Sequence, residues 1–117
     1  MIKEIAFTGY PADDMARARK FYEGVLGLAV ESDFGGQWFE YGIAGGTFAI
    51  TTMMELGQRG TRQPSLAFEV DDFAAAVDAL RQAGARLRHE PLETPVGHMA
   101  VVADPDGNEV IIHRRKS

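Results

Sequence analysis

Apolar and polar positions follow the same order twice along the chain. Ile5-Ala6-Phe7 is an apolar stretch that precedes the acidic pair Asp13-Asp14 and an alanine-containing segment. Leu66-Ala67-Phe68 precedes Asp71-Asp72 and a second alanine-rich segment in the same way. The acidic pairs stand about 58 residues apart, and the two copies account for nearly the whole chain. We therefore predict two copies of one supersecondary unit.

Each acidic pair is followed by a periodicity that predicts a helix. In the first copy, apolar residues at three- and four-residue steps share one helical face: Met15, Ala18, Tyr22, Val25 and Leu26. Asp14 is the predicted N-cap of this helix, and Gly27 is its predicted end. The second helix is predicted to begin at Asp71 or Asp72 and to end before Gly84, because glycine suits the left-handed turn after a helix.

Three strand-like segments follow each helix. They are predicted at residues 28–33, 37–43 and 47–53 in the first copy, and at 85–89, 97–103 and 108–114 in the second. Neither copy can cover both faces of a sheet alone, so we predict an α+β fold of two tandem βαβββ modules. The modules form one curved mixed sheet, with the helices on one face and a concave ligand cavity on the other. They are predicted at about residues 1–54 and 65–114, and the polar, glycine-rich segment 55–64 joins them as a linker or a flap.

Alternation along the strands assigns side chains to the two faces of the predicted sheet. In the last strand, Val110 and Ile112 are predicted to face the helix. The concave face then receives residues from three strands: Glu109, Ile111 and His113; Ser65, Ala67 and Glu69; and Thr47, Ala49 and Thr51. Trp38 and Tyr41 cannot share a face of one unbroken strand, and the pattern leaves open which of them points inward.

Composition narrows the class of partner. With 117 residues, 45% of them hydrophobic and 25% charged, the chain can build one core, so we predict a single domain over residues 1–117. The net charge of −5 argues against nucleic acid or an anionic membrane as a partner, because both require a basic surface. The sequence contains no cysteine, no leader-like segment and no long apolar run, so we expect a cytoplasmic protein without thiolate chemistry.

Three motifs give the chain a resemblance to a known family. They are residues 14–22 (Asp-Met-Ala-Arg-Ala-Arg-Lys-Phe-Tyr), residues 25–28 (Val-Leu-Gly-Leu) and residues 104–108 (Asp-Pro-Asp-Gly-Asn). In order and spacing they are similar to motifs of the vicinal oxygen chelate superfamily, which includes glyoxalase I, bleomycin-resistance proteins and extradiol dioxygenases. The resemblance covers essentially the full chain and implies the paired modules, a concave ligand cavity and a homodimer. It leaves open whether the cavity is built within one chain or across the dimer, and it does not imply one activity.

The resemblance also implies positions for a divalent metal ion. Metal-dependent members of the superfamily place a histidine at the start of each module's first strand and another ligand on each module's last strand. The corresponding positions here are Phe7, Ser65, Ile111, and Ala49 or Thr51. None of these is an imidazole or a carboxylate, and a divalent ion needs several nitrogen or oxygen ligands. We therefore interpret the metal centre as lost and expect no cofactor.

The histidines form one candidate constellation. If a plain hairpin pairs Ala103 with Asn108, His98 lies directly opposite His113 on the concave face. The pair could then contact a ligand, form a replacement metal site or act as a general acid and base. A single bulge would break this pairing.

Two glutamates form another candidate set. Glu69 and Glu109 are predicted to point inward, where a carboxylate in apolar surroundings can abstract a proton. The alternative for Glu69 is an ordinary ion pair with an arginine, for which the sequence offers Arg62, Arg86 and Arg88.

These observations predict a metal-independent protein that binds a small apolar or aromatic organic molecule, similar to the bleomycin-resistance type. The predicted ligand contacts are Phe7, Trp38, Ser65, His98, Ile111 and His113. The alternative is a lyase or isomerase, glyoxalase-like or dioxygenase-like, in which Glu69, Glu109 or His113 acts as the base. A third hypothesis, a purely regulatory or interaction module, requires a filled cavity.

Overall fold

The structure is a computed structural model that describes residues 1, 6–52, 66–88, 90–94 and 97–116. Some predicted features lie outside the described residues: Ile5, Met53, Met54, segment 55–64, Ser65 and His89. The chain divides into two compact units, Met1–Arg59 and Gly60–Ser117, each with its own sheet. None of the helices in the described ranges is long and apolar enough to cross a membrane.

The first unit contains a four-stranded mixed sheet and one helical segment. Its elements in chain order are β1 (Thr8–Pro11), α1 (Met15–Arg19), a π-helical continuation (Lys20–Val25), β2 (Val30–Phe34), β3 (Trp38–Ile43) and β4 (Gly46–Thr51). The strands lie in the order β1-β4-β3-β2. β1 runs parallel to β4, and the other neighbours are antiparallel.

The second unit repeats this plan with one additional strand. Its elements are β5 (Ala67–Glu69), α2 (Phe73–Gln82), β6 (Arg86–Leu87), β7 (Leu92–Thr94), β8 (Gly97–Ala103) and β9 (Glu109–Arg115). The strands lie in the order β5-β9-β8-β6, and the short β7 also pairs with β8. The predicted α+β class is therefore confirmed, whereas β7 and the π-helical turn were not predicted.

Both predicted N-caps are present. The Asp14 side chain accepts a hydrogen bond from the backbone N–H of Arg17 at 3.1 Å, and Asp72 accepts one from Ala75 at 3.0 Å. These bonds satisfy backbone donors that a helix cannot pair internally. Gly84 ends α2 with a φ of 77°, in the left-handed region that glycine adopts without strain.

Aromatic rings join the helix of the first unit to its sheet. Phe48 of β4 packs against Tyr22 of the helix with ring centroids 5.0 Å apart. Tyr10 of β1 also contacts the Phe48 ring. Tyr22 and Phe48 are almost fully buried. The helix therefore covers the face of the sheet to which Phe48 points, as the alternation predicted.

A charged network borders this core. The Arg19 guanidinium donates to the Glu23 carboxylate at 2.6 Å and lies 4.2 Å above the ring of Phe39, and the Tyr41 hydroxyl donates to Glu23 at 2.9 Å. The hydrogen bond from Arg19 lowers the pKa of Glu23, and the hydrogen bond from Tyr41 lowers it by a smaller amount. Burial, followed by the hydrogen bond to Glu23, raises the pKa of Tyr41. Glu23 is thus held in its charged form beside a protonated phenol.

In the second unit, α2 contacts β6, β8 and β9. Val77 and Leu80 of α2 are buried, as are Val102 of β8 and Val110 and Ile112 of β9. Because Val102 pairs with Val110, these side chains share a face. The predicted orientation of Val110 and Ile112 toward the helix is consistent with this burial.

The predicted pairing of His98 with His113 is wrong. Ala103 pairs with Glu109, so Met99 lies opposite His113, and His98 lies opposite Arg114. The cause is the buried carboxylate of Asp104, which accepts hydrogen bonds from the backbone of Asp106 and from both the backbone and side chain of Asn108. This cluster lengthens the turn by one residue, and a shift of one residue moves a side chain to the other face.

Removing the Asp104 carboxylate should destabilise the protein strongly. Asp104→Ala leaves three donors of a buried turn without this acceptor, so we expect a loss of about 3 kcal/mol in the free energy of unfolding. Asp78→Ala, on the exposed side of α2, is the control and should change the value by less than about 0.5 kcal/mol. Urea denaturation measures both; equal midpoints for the two variants would contradict the role given to Asp104.

The Glu23 network should make stability depend on acidic pH. A lowered pKa in the folded state means that the carboxylate stabilises the fold above its ordinary pKa of 4.5, and that this contribution is lost as the pH falls through the lowered value. In Glu23→Gln the titrating group is absent. The difference in unfolding free energy between wild type and Glu23→Gln should therefore shrink as the pH falls below about 4.5; a difference that stays constant or widens would contradict it.

Candidate functional site

The face of the first sheet that its helix leaves uncovered, called here the first helix-free face, carries aromatic rings. Phe7 and Trp38 meet edge to face, with ring centroids 5.1 Å apart and an interplanar angle of 85°. Phe7 is 41% exposed and Phe34, opposite Trp38 in the strand pairing, is 55% exposed. Large apolar rings at this exposure form a surface on which another planar molecule can pack.

A carboxylate fixes the orientation of Trp38. The indole N–H donates to Glu40 at 3.0 Å, and the two residues stand two positions apart on β3, hence on the same face. Tyr41 points the other way, where it is fully buried and bonded to Glu23. The structure thus resolves the alternative that the sequence left open: Trp38 lies on the helix-free face.

A second carboxylate approaches the same face. The register of β2 shifts between Val30 and Ser32, which makes Glu31 the irregular residue of this strand. The Glu31 carboxylate lies against Gly42, where any side chain would collide with it. Glu31 and Glu40 therefore give the aromatic surface an acidic border.

The corresponding helix-free face of the second sheet carries a carboxylate–imidazole pair. Nδ1 of His113 lies 2.8 Å from Oε1 of Glu69, and the other Glu69 oxygen accepts the backbone N–H of Arg115 at 2.5 Å. These two hydrogen bonds, that of His113 first, lower the pKa of Glu69. β5 runs parallel to β9 with Glu69 directly paired with His113, which brings the two groups together.

A glycine makes room for the imidazole. A Cβ atom at Gly97 would lie 3.0 Å from both Cε1 and Nε2 of His113 and would collide with the carbonyl oxygen of Arg114. The Cε1–Nε2 edge of the ring therefore occupies the space above Gly97. The His113 side chain keeps 17% of its surface exposed.

Glu109 has a different partner. Its carboxylate is buried and lies 3.0 Å from Nε of Arg88. At this distance the guanidinium and the carboxylate form a buried ion pair. Among the predicted bases, Glu109 is thus an ion-pair partner, while Glu69 pairs with His113 and not with Arg86 or Arg88.

His98 lies on the other face of β8. Its ring is 5.9 Å from that of Phe73, at the start of α2. It is therefore separated from His113 by the sheet, and the expected histidine constellation does not form.

The positions that the family resemblance assigns to a metal ion do not fit one. Phe7, Ala49 and Ile111 present hydrocarbon, and the Thr51 hydroxyl is used in a 2.9 Å hydrogen bond to the carbonyl of Gln37. Ser65 lies outside the described residues. Across the described ranges, no group of three histidine, aspartate or glutamate side chains could hold a metal.

Some residues of these faces were not predicted from the sequence: Glu31, Phe34, Glu40 and Gly97. The spacing of Trp38 and Glu40 on one strand was a usable signal, because residues two apart share a face. The role of Gly97 had no such signal, since it depends on which way the His113 ring turns.

The sequence is similar to two bacterial proteins of known description. It is 34% identical over 102 residues to the anthracycline biosynthesis protein DauV of Streptomyces sp. (strain C5), a match that covers 81% of this chain and 35% of that protein. The chain thus spans about a third of that relative's length. It is 29% identical over 119 residues to a probable lactoylglutathione lyase of Vibrio parahaemolyticus serotype O3:K6 (strain RIMD 2210633), covering 88% of this chain and 84% of the relative.

Solved structures show the same fold. TnmS3, an antibiotic binding protein from Streptomyces sp. CB03234, superposes with a TM-score of 0.85 at 23% identity, covering 98% of each chain. A lactoylglutathione lyase from Agrobacterium tumefaciens superposes with a TM-score of 0.76 at 20% identity, covering 97% of this chain and 94% of the other. Residues 4–112 also match a family model along nearly the whole chain. The chain therefore belongs to the Glyoxalase/Bleomycin resistance protein/Dioxygenase superfamily.

Proposed function

We propose that this protein binds a small, largely apolar or aromatic organic molecule without the help of a metal ion. The observation that carries the proposal is the Phe7–Trp38 ring pair on the first helix-free face. An exposed edge-to-face pair presents one ring face and one ring edge, both of which attract another aromatic ring.

The site is ordered before the ligand arrives. The hydrogen bond from Trp38 to Glu40 holds the indole in one orientation, and the contact with Phe7 restricts it further. A side chain that is already fixed loses little conformational freedom on binding, which is one of the main costs of association. Each aromatic contact contributes about 0.5–1.5 kcal/mol beyond the burial of apolar area.

The carboxylates limit the charge of the ligand. Glu31 and Glu40 border the rings, so an anionic molecule would meet like charge there. The net charge of −5 acts in the same direction. We infer that the ligand is neutral or cationic.

The similar proteins support a binding role. TnmS3, which shares the fold, is an antibiotic binding protein, and the relative from Streptomyces sp. (strain C5) is an anthracycline biosynthesis protein. The similarity to a probable lactoylglutathione lyase keeps a lyase or isomerase activity as the alternative. Metal independence is proposed because Phe7, Ala49 and Ile111 offer a cation no ligand. The homodimer stays a prediction.

Trp38 allows the proposal to be tested directly, because it is the only tryptophan of the chain. Titration with 2-methoxynaphthalene, a neutral bicyclic probe, should change the Trp38 fluorescence in a saturable way, with a Kd on the order of tens of micromolar. Phe7→Ala should weaken binding about fivefold, since it removes one ring contact.

Val30→Ala is the matched control for this measurement. Val30 pairs with Tyr41, so it lies on the face of the first sheet opposite Trp38, and it is 37% exposed, close to the 41% of Phe7. Its replacement should leave the affinity unchanged. Equal affinities of wild type and Phe7→Ala, or a fluorescence change that never saturates, would refute the proposed site.

A further inference from the structure

The Glu69–His113 pair leaves one nitrogen of the imidazole available. Both oxygens of Glu69 accept hydrogen bonds: one from Nδ1 of His113 and the other from the backbone N–H of Arg115. A carboxylate can only accept, so Nδ1 must carry the proton. In the neutral ring, Nε2 is then an acceptor, and in the described ranges it has no hydrogen-bond partner.

Two apolar side chains and a glycine lie beside the His113 ring, and Arg115, which pairs with Gly97, borders them. Gly97 lies beneath the Cε1–Nε2 edge, Met99 stands opposite His113 on β8, and Ile111 precedes it on the same face of β9. Nε2 is therefore a fixed hydrogen-bond acceptor beside hydrocarbon. This arrangement suits a molecule with an apolar body and one donor group.

The protonation of the ring decides which ligand group fits. Glu69 lies 2.8 Å from the ring, and two arginines act on the same carboxylate: the Arg114 guanidinium lies 3.9 Å from it, and Arg115, after the hydrogen bond of His113, lowers its pKa. Charge is therefore mixed beside the pair and does not by itself select a ligand. Nε2 of the neutral ring is an acceptor, and an anionic oxygen has no proton to donate to it, so a neutral O–H group is the better partner.

We propose that a hydroxylated aromatic compound binds on the helix-free face of the second sheet, where His113, oriented by Glu69, accepts a hydrogen bond from the hydroxyl group of that compound. The inference rests on the proposed function in one respect, that the ligand is an aromatic small molecule. His113 acts here as a binding residue and Glu69 as a positioning residue. No bond is broken in this step.

A pair of probes that differ only at the hydroxyl tests the inference. Isothermal titration calorimetry compares 2-naphthol with its methyl ether, 2-methoxynaphthalene, on the full chain. Wild type should bind 2-naphthol about threefold to tenfold more tightly, the effect of one net hydrogen bond. His113→Phe keeps a planar ring but removes the acceptor, so it should bind both probes equally.

Two further variants separate positioning from folding. Glu69→Ala leaves the imidazole in place, but no carboxylate then holds the proton on Nδ1, so Nε2 is an acceptor in only part of the molecules. This variant should reduce the preference for 2-naphthol while leaving the affinity for the ether unchanged. His98→Gln, which changes the histidine on the opposite face, should keep the full preference. In ¹⁵N-histidine-labelled protein, 2-naphthol should shift the Nε2 resonance of His113, and the ether should not.

The outcomes distinguish this inference from the proposed function. If wild type binds both probes equally, or if His113→Phe retains the preference, the inference is wrong while the aromatic site stands. If neither probe binds wild type, both proposals are wrong. A preference that disappears in His113→Phe and persists in His98→Gln supports the inference.

Discussion

The packing of a helix against one face of each sheet is the constraint on which the site depends. In the first unit, Tyr22 packs on Phe48, and every strand must then turn its alternate residues away from the helix. Phe7, Trp38 and Glu40 occupy the other face for this reason alone. In the second unit, the burial of Val110 and Ile112 has the same effect on Ile111 and His113. The large apolar residues that stabilise the fold thus also determine which side chains lie on the helix-free faces, where a ligand can contact them.

Local chemistry explains why much of the fold could be predicted from the sequence. Asp14 and Asp72 predict the start of two helices, because an aspartate carboxylate at the N-cap accepts hydrogen bonds from the backbone N–H groups that follow it. The alternation in β9 placed Val110 and His113 on opposite faces without knowledge of any contact. The π-helical turn at Lys20–Val25 could not be predicted in this way, because its cause does not lie in the periodicity of the apolar residues.

The orientation of His98 could not be predicted from alternation, because it depends on the length of a turn. The motif at residues 104–108 predicted a turn correctly, but its length depends on how many donors the Asp104 carboxylate satisfies within it. One additional residue in the turn moved His98 to the helix side. Trp38 illustrates a second limit: the sequence showed that it opposes Tyr41, and only the hydrogen bonds to Glu40 and Glu23 show which of the two is buried.

The two helix-free faces share a common chemistry. Hydrocarbon stands at Phe7, Ala49 and Ile111, where metal-dependent relatives would place ligands, and carboxylates fix the neighbouring rings of Trp38 and His113 by hydrogen bonds. Under the proposal, a ligand on either surface is held by ring packing or by a single oriented hydrogen bond, and not by coordination. This is the physical basis for the proposed metal-independent binding.

The measurement that tests this account most directly is ligand affinity as a function of metal. Calorimetric titration with 2-methoxynaphthalene would be carried out on protein dialysed against a chelator, and repeated after addition of zinc(II), nickel(II), manganese(II) or iron(II). The chelated protein should bind the probe, with an affinity that stays within about twofold under every condition, since the proposed contact with the ring pair needs no cation. Binding that disappears after chelation and returns with one of these ions would contradict it.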